Sequence, residues 1–163
     1  MIIKVINNNT LILGDFKFKC CVGKSGITKY KTEGDKKTPK GLFKLDNLYF
    51  RKDKNSKLNT KLKKIPITKS MGWCDDINNK NYNKLIKTDN KIRHEKMFRK
   101  DTKYDLMIPI KYNMISPKKR KGSAIFLHLT KDYKKTLGCI AIKKRDMLIL
   151  IRLINKKTKI RIL

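Results

Sequence analysis

The chain is short of acid, of histidine, of tryptophan and of long apolar stretches: 13 acidic residues stand against 43 basic ones, with two histidines and one tryptophan in 163 residues. Each shortage closes off a class of protein. The longest uninterrupted apolar run, 147–151, falls far below the roughly 20 residues a membrane helix needs, so no integral membrane segment is expected. The four cysteines, Cys20, Cys21, Cys74 and Cys139, show no Cys-x-x-Cys spacing and no paired histidines, which argues against a structural zinc site; no metal or organic cofactor is called for. A disulfide framework is not expected either. Cys20 and Cys21 are adjacent in a strand pattern and point to opposite faces, so at most one should face a core. Residues 1–7 read as a strand and lack the basic n-region, longer apolar segment and small-residue cleavage site of a secretory leader.

The deficit of acid leaves a formal charge of +30, which attracts polyanions non-specifically at low salt. The lysine excess is spread along the chain together with asparagine and isoleucine, as a drift in composition would also produce. Nucleic-acid binding is therefore the rival function. Against it, no ribonucleoprotein strand motif, zinc finger or helix-turn-helix appears, and the lysine-rich stretch 51–64 has no interleaved aromatic residues for base stacking.

What is present is a series of short β patterns. Residues 2–6, 10–13 and 16–22 read as a meander joined by the turns Asn7-Asn8-Asn9 and Gly14-Asp15. A long loop, 23–41, carries further turn signals at Gly26, Gly34-Asp35 and Pro39, and 42–50 resumes an extended segment. Residues 51–64 read as a mobile insertion and 65–105 as an elaborated loop with short helical turns, His94 falling in one of them. A strand over 106–113 holds Pro109, the mark of an edge or bulge. Met147, Leu150, Ile151 and Ile154 recur at helical spacing over 145–155, and 158–163 alternates as a last strand. The expectation is a mainly β fold, a β-sandwich or curled mixed sheet with a short helix packed on it. At 163 residues one core can bury roughly two thirds of the unfolded surface, so 1–163 is read as a single domain.

Two apolar runs carry the candidate chemistry. His128 lies in Ala124-Ile125-Phe126-Leu127-His128-Leu129, and Cys139 opens Cys139-Ile140-Ala141-Ile142. Both read as buried strands, and the short basic connection lets them lie side by side. A thiol becomes a nucleophile as the thiolate, and a neighbouring imidazole can take its proton. Gly138, without a Cβ, lets a carbonyl approach the backbone, where the amides around Gly138 and Cys139 can hold an oxyanion. The bland alternative is a core histidine and a small buried cysteine.

Thr136-Leu137-Gly138-Cys139 with the upstream His128 resembles the signature of the L,D-transpeptidase catalytic domain family, the YkuD type. Similar to the same family are Val22-Gly23-Lys24-Ser25-Gly26-Ile27, the run Glu33-Gly34-Asp35-Lys36-Lys37-Thr38-Pro39-Lys40-Gly41, and Gly72-Trp73-Cys74-Asp75-Asp76. Tyr82-Asn83, Glu95 to Arg99, Tyr104-Asp105 and Gly122 to His128 extend the match over roughly 20–163, in the manner of a bacterial branch without extra binding modules. Two departures stand out: Leu129 where many members have glycine, and Ala141 where many have an arginine thought to hold substrate or the catalytic loop. Lys143, Lys144 or Arg145 could supply a substitute charge, or form a solvated face.

The resemblance implies a cysteine acyltransferase acting on peptidoglycan stem peptides, in peptidoglycan synthesis, cell-wall biogenesis and cell shape. Cys139 would be the nucleophile, His128 the base, and Gly138 and Thr136 oxyanion or substrate contacts. The donor would be a tetrapeptide stem that loses its terminal D-alanine through a thioester. An L,D-carboxypeptidase or another cysteine hydrolase is the alternative. The imidazole needs a partner on its second nitrogen; a backbone carbonyl is expected, with Asp132 in a loop as the other option. Arg99 is a candidate for a substrate carboxylate because guanidinium binds one bidentately, or for an ion pair with Asp101 or Asp105. Cell envelope or periplasm is the implied location, with the cytoplasm as alternative, and the sequence leaves the oligomeric state open.

Overall fold

A computed structural model describes residues 1–88 and 91–163. The first three strands are β1 (Ile2–Ile6), β2 (Thr10–Leu13) and β3 (Phe16–Cys21), an antiparallel meander as expected. Its turns need left-handed backbone, supplied by Asn7 and Asn8 at φ of 52° and 59° and by Gly14 at 55°. Within the loop 23–41, β4 (Ile27–Thr28) and β5 (Thr38–Pro39) form a short parallel pair.

The extended segment expected over 42–50 is two strands, β6 (Gly41–Lys44) and β7 (Leu48–Phe50). They lie near opposite ends of one ten-stranded mixed sheet. The other members are β8 (Lys64–Pro66), β12 (Leu106–Pro109), β13 (Phe126–Leu129), β14 (Ile140–Ile142) and β15 (Lys159–Ile162), in the order β6-β15-β1-β2-β3-β14-β13-β12-β7-β8. Only three residues separate β6 from β7, so the sheet must curl until its ends meet. Leu45 bridges to Ile110 there, and the Lys111 amide donates to the Lys44 carbonyl at 2.8 Å.

Three readings are corrected. In 65–105 the short helical turns are instead a three-stranded antiparallel sheet of β9 (Met71–Cys74), β10 (Leu85–Lys87) and β11 (His94–Lys96), with β9 central. His94 is thus on a strand; three residues cannot offset helix nucleation, whereas pairing to β9 satisfies the backbone. Pro109 does not mark an edge: β12 lies between β7 and β13, and Pro109 is simply its last residue. Cys20 and Cys21 are both buried, because Cys21 on the second face is covered by the loop after β13 and donates its S–H to the Lys134 carbonyl. All four cysteines are free.

The expected mobile loop 51–64 carries anchors that its composition did not advertise. Asn55 Nδ2 donates to the carbonyls of Arg51 and Asp105 at 3.2 and 3.0 Å, Lys54 pairs with Asp105 at 3.0 Å, and Leu62 is buried in the main core.

Strand alternation divides the interior in two. Leu127, Leu129, Ile140, Ile142, Leu106 and Ile108 face an aliphatic core with Ile3, Val5 and Leu11. The helix α1 (Lys144–Leu153) closes this core with Met147, Leu150 and Ile151. The intervening residues Phe126 and Met107, with Tyr49, face a smaller cluster containing Trp73, Met97 and Tyr104. Among the described residues no helix is long and apolar enough to cross a membrane.

Candidate active site

His128 and Cys139 belong to the second face. β13 and β14 pair in parallel with Leu127 opposite Ile140 and His128 opposite Ala141. Paired residues of parallel strands project to the same side, and the side alternates at each step. Ala141 and Cys139 therefore share the face of His128 and Phe126. Cys139 packs against the Trp73, Tyr104 and Phe126 cluster while remaining half-buried.

The imidazole of His128 is buried, and its Nδ1 lies 2.9 Å from the Leu129 carbonyl. A carbonyl only accepts, so Nδ1 carries the hydrogen and Nε2 keeps its lone pair. The orienting group is thus a backbone carbonyl; Asp132 is exposed and pairs with Lys134. The Tyr104 ring holds the imidazole edge-on, with ring centroids 5.4 Å apart. Burial pushes the His128 pKa down to about 4, against the help of the Leu129 carbonyl, so the ring is neutral at physiological pH.

The Cys139 sulfur accepts a hydrogen bond from the Phe126 amide at 3.3 Å and donates to the Ala124 carbonyl at 3.2 Å. Burial pushes this thiol up to about 12, opposed by the Phe126 amide and reinforced by the nearby Glu95 carboxylate. At rest both groups are uncharged, and the thiol points its hydrogen at the Ala124 carbonyl.

Ala124 aims its carbonyl from a left-handed conformation, φ 52°, that an alanine adopts only under constraint. The constraint is Asn83, whose Oδ1 accepts from the Ala124 amide at 3.1 Å and from Trp73 Nε1 at 2.9 Å. Its Nδ2 donates to the carbonyls of Tyr112 and Asn113. The sequence paired Tyr82 with Asn83 as a motif but gave no hint of this job. Tyr82 and Ser123 both donate to Glu33 Oε2, which ties the long 23–41 loop to the strand entering the site.

The turn that leads into Cys139 is clamped by that same loop. Thr136 exchanges backbone bonds with Val22 and Lys24 at 3.0 and 2.9 Å; Thr38 Oγ1 donates to the Gly138 carbonyl at 2.8 Å and accepts from the Gly23 amide at 2.9 Å. Thr136 Oγ1 accepts from the Gly138 amide at 3.1 Å and donates to the Cys139 carbonyl at 2.6 Å. Thr136 is therefore a brace for the turn, and the Gly138 amide is already engaged. Gly138 has φ 141°, and a Cβ there would sit 2.9 Å from the Lys37 carbonyl oxygen, so no other residue fits without strain. Thr38 and Gly23 lie about a hundred residues upstream, and only their place in the turn-rich motifs Gly23 to Gly26 and Glu33 to Gly41 signalled them.

Arg99 is half-buried, with its guanidinium 5.3 Å from the centroid of the Tyr104 ring. It grips Asp101 through Nε and Nη2 at 2.9 and 2.7 Å, and its Nη1 reaches Glu95 at 3.1 Å. Glu95 also accepts from the Tyr104 hydroxyl. Ala141 is fully buried between His128 and Cys21. Lys143 lies past the other end of β14, with its ammonium over Tyr133, Lys144 opens α1 and is exposed, and Arg145 reaches Asp146, so none of the three replaces an arginine at 141 in the strand itself. Cys74 is buried at the end of β9. His94 stacks on Gly72 and lines a separate cleft of about 310 Å³ with Lys69, Met71, Thr88, Lys96 and Phe98.

The model of the L,D-transpeptidase catalytic domain family, YkuD, matches residues 2–162. The chain belongs to that family. The mixed sheet with one short helix is consistent with the YkuD fold, and the match covers nearly the whole of the sequence. The YkuD family acts on peptidoglycan. Among curated proteins, none matches the chain. Among the described residues no cluster of histidine, cysteine, aspartate or glutamate is placed to hold a metal ion.

Proposed function

We propose that this YkuD domain is a cysteine acyltransferase acting on peptidoglycan stem peptides, with Cys139 as nucleophile and His128 as general base. The observation that carries the reading is that the two residues share one face of paired strands, with the imidazole already fixed as the tautomer whose Nε2 can accept a proton. The sulfur attacks the carbonyl carbon of the amide between the L-centre of the stem's diamino acid and its terminal D-alanine. As the S–C bond forms, the thiol proton moves to His128 Nε2 and the carbonyl electrons move to oxygen. Collapse breaks the C–N bond, His128 returns the proton to the departing amine, and a thioester remains. An incoming amine reverses the sequence and makes a crosslink; a free D-amino acid gives exchange, and water gives carboxypeptidase action.

Because both groups rest uncharged, the proton transfers together with attack instead of beforehand. The Cys139 amide is the oxyanion donor in this reading, since Thr136 holds the Gly138 amide. Arg99, with part of its guanidinium still free, takes a stem carboxylate. The work belongs at the cell envelope, and the +30 charge adds a salt-sensitive, non-specific attraction to acidic stems.

The test is product analysis after incubation with tetrapeptide muropeptides. Released D-alanine with crosslinked dimers supports the transpeptidase; D-alanine with tripeptides alone, even when an acceptor amine is supplied, selects the carboxypeptidase. Folded protein that yields neither overturns the assignment.

A further inference from the structure

Lys31 is 4 % exposed in a chain whose other lysines nearly all face solvent. Its ammonium donates to Asp35 Oδ1 and, at 2.8 Å, to the Thr32 carbonyl. Asp35 is in turn held inside its own loop by the amides of Thr32 and Lys37 at 2.9 and 2.8 Å. The lysine stem passes between two glycines. A Cβ on Gly122 would lie 2.9 Å from its Cγ and 3.1 Å from its Cε, and one on Gly138 would lie 3.8 Å from its Cε. Gly122 opens the segment that leads to His128, and Gly138 immediately precedes Cys139. The end of the side chain is thus laid against the turn that leads into Cys139.

Desolvating an ammonium is costly, and an ion pair that fills a buried slot is weak evidence of a stabilising role, because an apolar chain of similar shape often serves as well. The charge matters where negative charge must develop. We propose that Lys31 is a positioning residue for the chemistry at Cys139: a buried ammonium, oriented by Asp35 and Thr32, whose field stabilises the sulfur as its proton leaves and the oxyanion that follows. The proposal rests on the reading of Cys139 as nucleophile. The charged and titratable groups around the sulfur are Glu95 from β11, Lys103 and Tyr104 from the segment before β12, His128 from β13, and Lys31 from the 23–41 loop. Glu95 disfavours the thiolate, while Lys31 and Lys103 favour it against the larger effect of burial. Lys103 is exposed and screened by solvent; Lys31 is not.

The test is the pH–rate profile for alkylation of Cys139 by iodoacetamide, a neutral probe that reads thiolate without any peptide substrate, with the modified residue located by peptide mass. Lys31→Met keeps the length and removes the charge. The expected result is a profile displaced upward by about one pH unit, a rate about tenfold lower at fixed pH, and partial recovery in Lys31→Arg. A Lys31→Met profile that superimposes on the wild type overturns the proposal. Should Lys31→Met fail to fold, Asp35→Asn decides: removing the counter-charge must move the profile downward, and an unmoved or raised profile overturns it. Because alkylation needs no stem peptide, failure here is distinct from failure of the transpeptidase reading, which shows as an absent acyl adduct.

Discussion

Leu127 and Ile140 meet on one side of the central sheet; His128 and Ala141, the next residue on each strand, meet on the other. The first side is hydrocarbon, sealed by Met147, Leu150 and Ile151 of the helix. The second carries aromatic rings, an imidazole, a thiol and a chain of polar contacts running through Asn83, Glu33 and Thr38. The same backbone hydrogen bonds hold both. A period of two thus separates an aliphatic core from the proposed site at neighbouring positions, and the second side gives up aliphatic packing for a thiol and an imidazole that burial holds further toward their neutral forms.

That division is broken most directly by substitutions on either side. On the chemical face, Cys139→Ala should lower D-alanine release by at least about a thousandfold while the melting temperature changes little, and His128→Gln by about a hundredfold or more. On the aliphatic face, Leu127→Ala should cost about 2–5 kcal/mol in denaturant unfolding. The variant should still form the acyl-enzyme under conditions where it remains folded. Equal loss of stability from Cys139→Ala would mean that the two faces are not divided as described.

A third effect sharpens the comparison through pH. His128 is lowered from an ordinary value near 6.5 to about 4 by burial, so between those values the unfolded chain binds a proton that the folded chain refuses. The stabilisation is complete above about pH 6.5 and disappears as the pH falls toward 4, a loss of about 3 kcal/mol. Urea unfolding at pH 7 and pH 4 should show that difference in the wild type and a smaller one in His128→Gln. No matching dependence should arise between pH 4 and 7 from the aliphatic cluster, which holds no histidine or carboxylate. The acid limb of the activity profile should likewise lie near pH 4.

The smallest expected effect concerns the brace behind Cys139. Trp73→Phe keeps the ring against Phe126, where the centroids are 5.3 Å apart, but removes the indole bond to Asn83. It should cost about 1 kcal/mol in stability, and activity should fall severalfold because Ala124 loses part of what holds its carbonyl on the sulfur. An unchanged turnover would show that the strained Ala124 conformation does not depend on this bond.

Local pattern explains what was legible in the sequence. The meander β1 to β3, the helix stripe and the last strand are written in neighbouring residues, and so is the fixed spacing of Thr136, Gly138 and Cys139. The split between β6 and β7 was not visible, because it follows from the closure of the sheet at Leu45 and Ile110. Nor was the three-stranded sheet of 71–96, where Trp73 meets Leu85 on one side and Glu95 on the other through pairings that no periodicity announces. At the site, the two expected reactive residues project to one face, but their support comes from Thr38, Asn83 and Lys31, none of which has a distinctive spacing to Cys139. Thr136 was read as a contact for substrate and is used to brace the turn. The packing that lowers the His128 pKa and raises that of the Cys139 thiol is a property of the aromatic cluster and cannot be read from residue order.

The most direct measurement is intact mass of the protein at short times after mixing with a tetrapeptide stem. The account predicts an added mass equal to the stem's tripeptide acyl group, removed by hydroxylamine as a thioester should be, located on Cys139 and absent in Cys139→Ala. No adduct on folded wild-type protein, or the same adduct on Cys139→Ala, would contradict it.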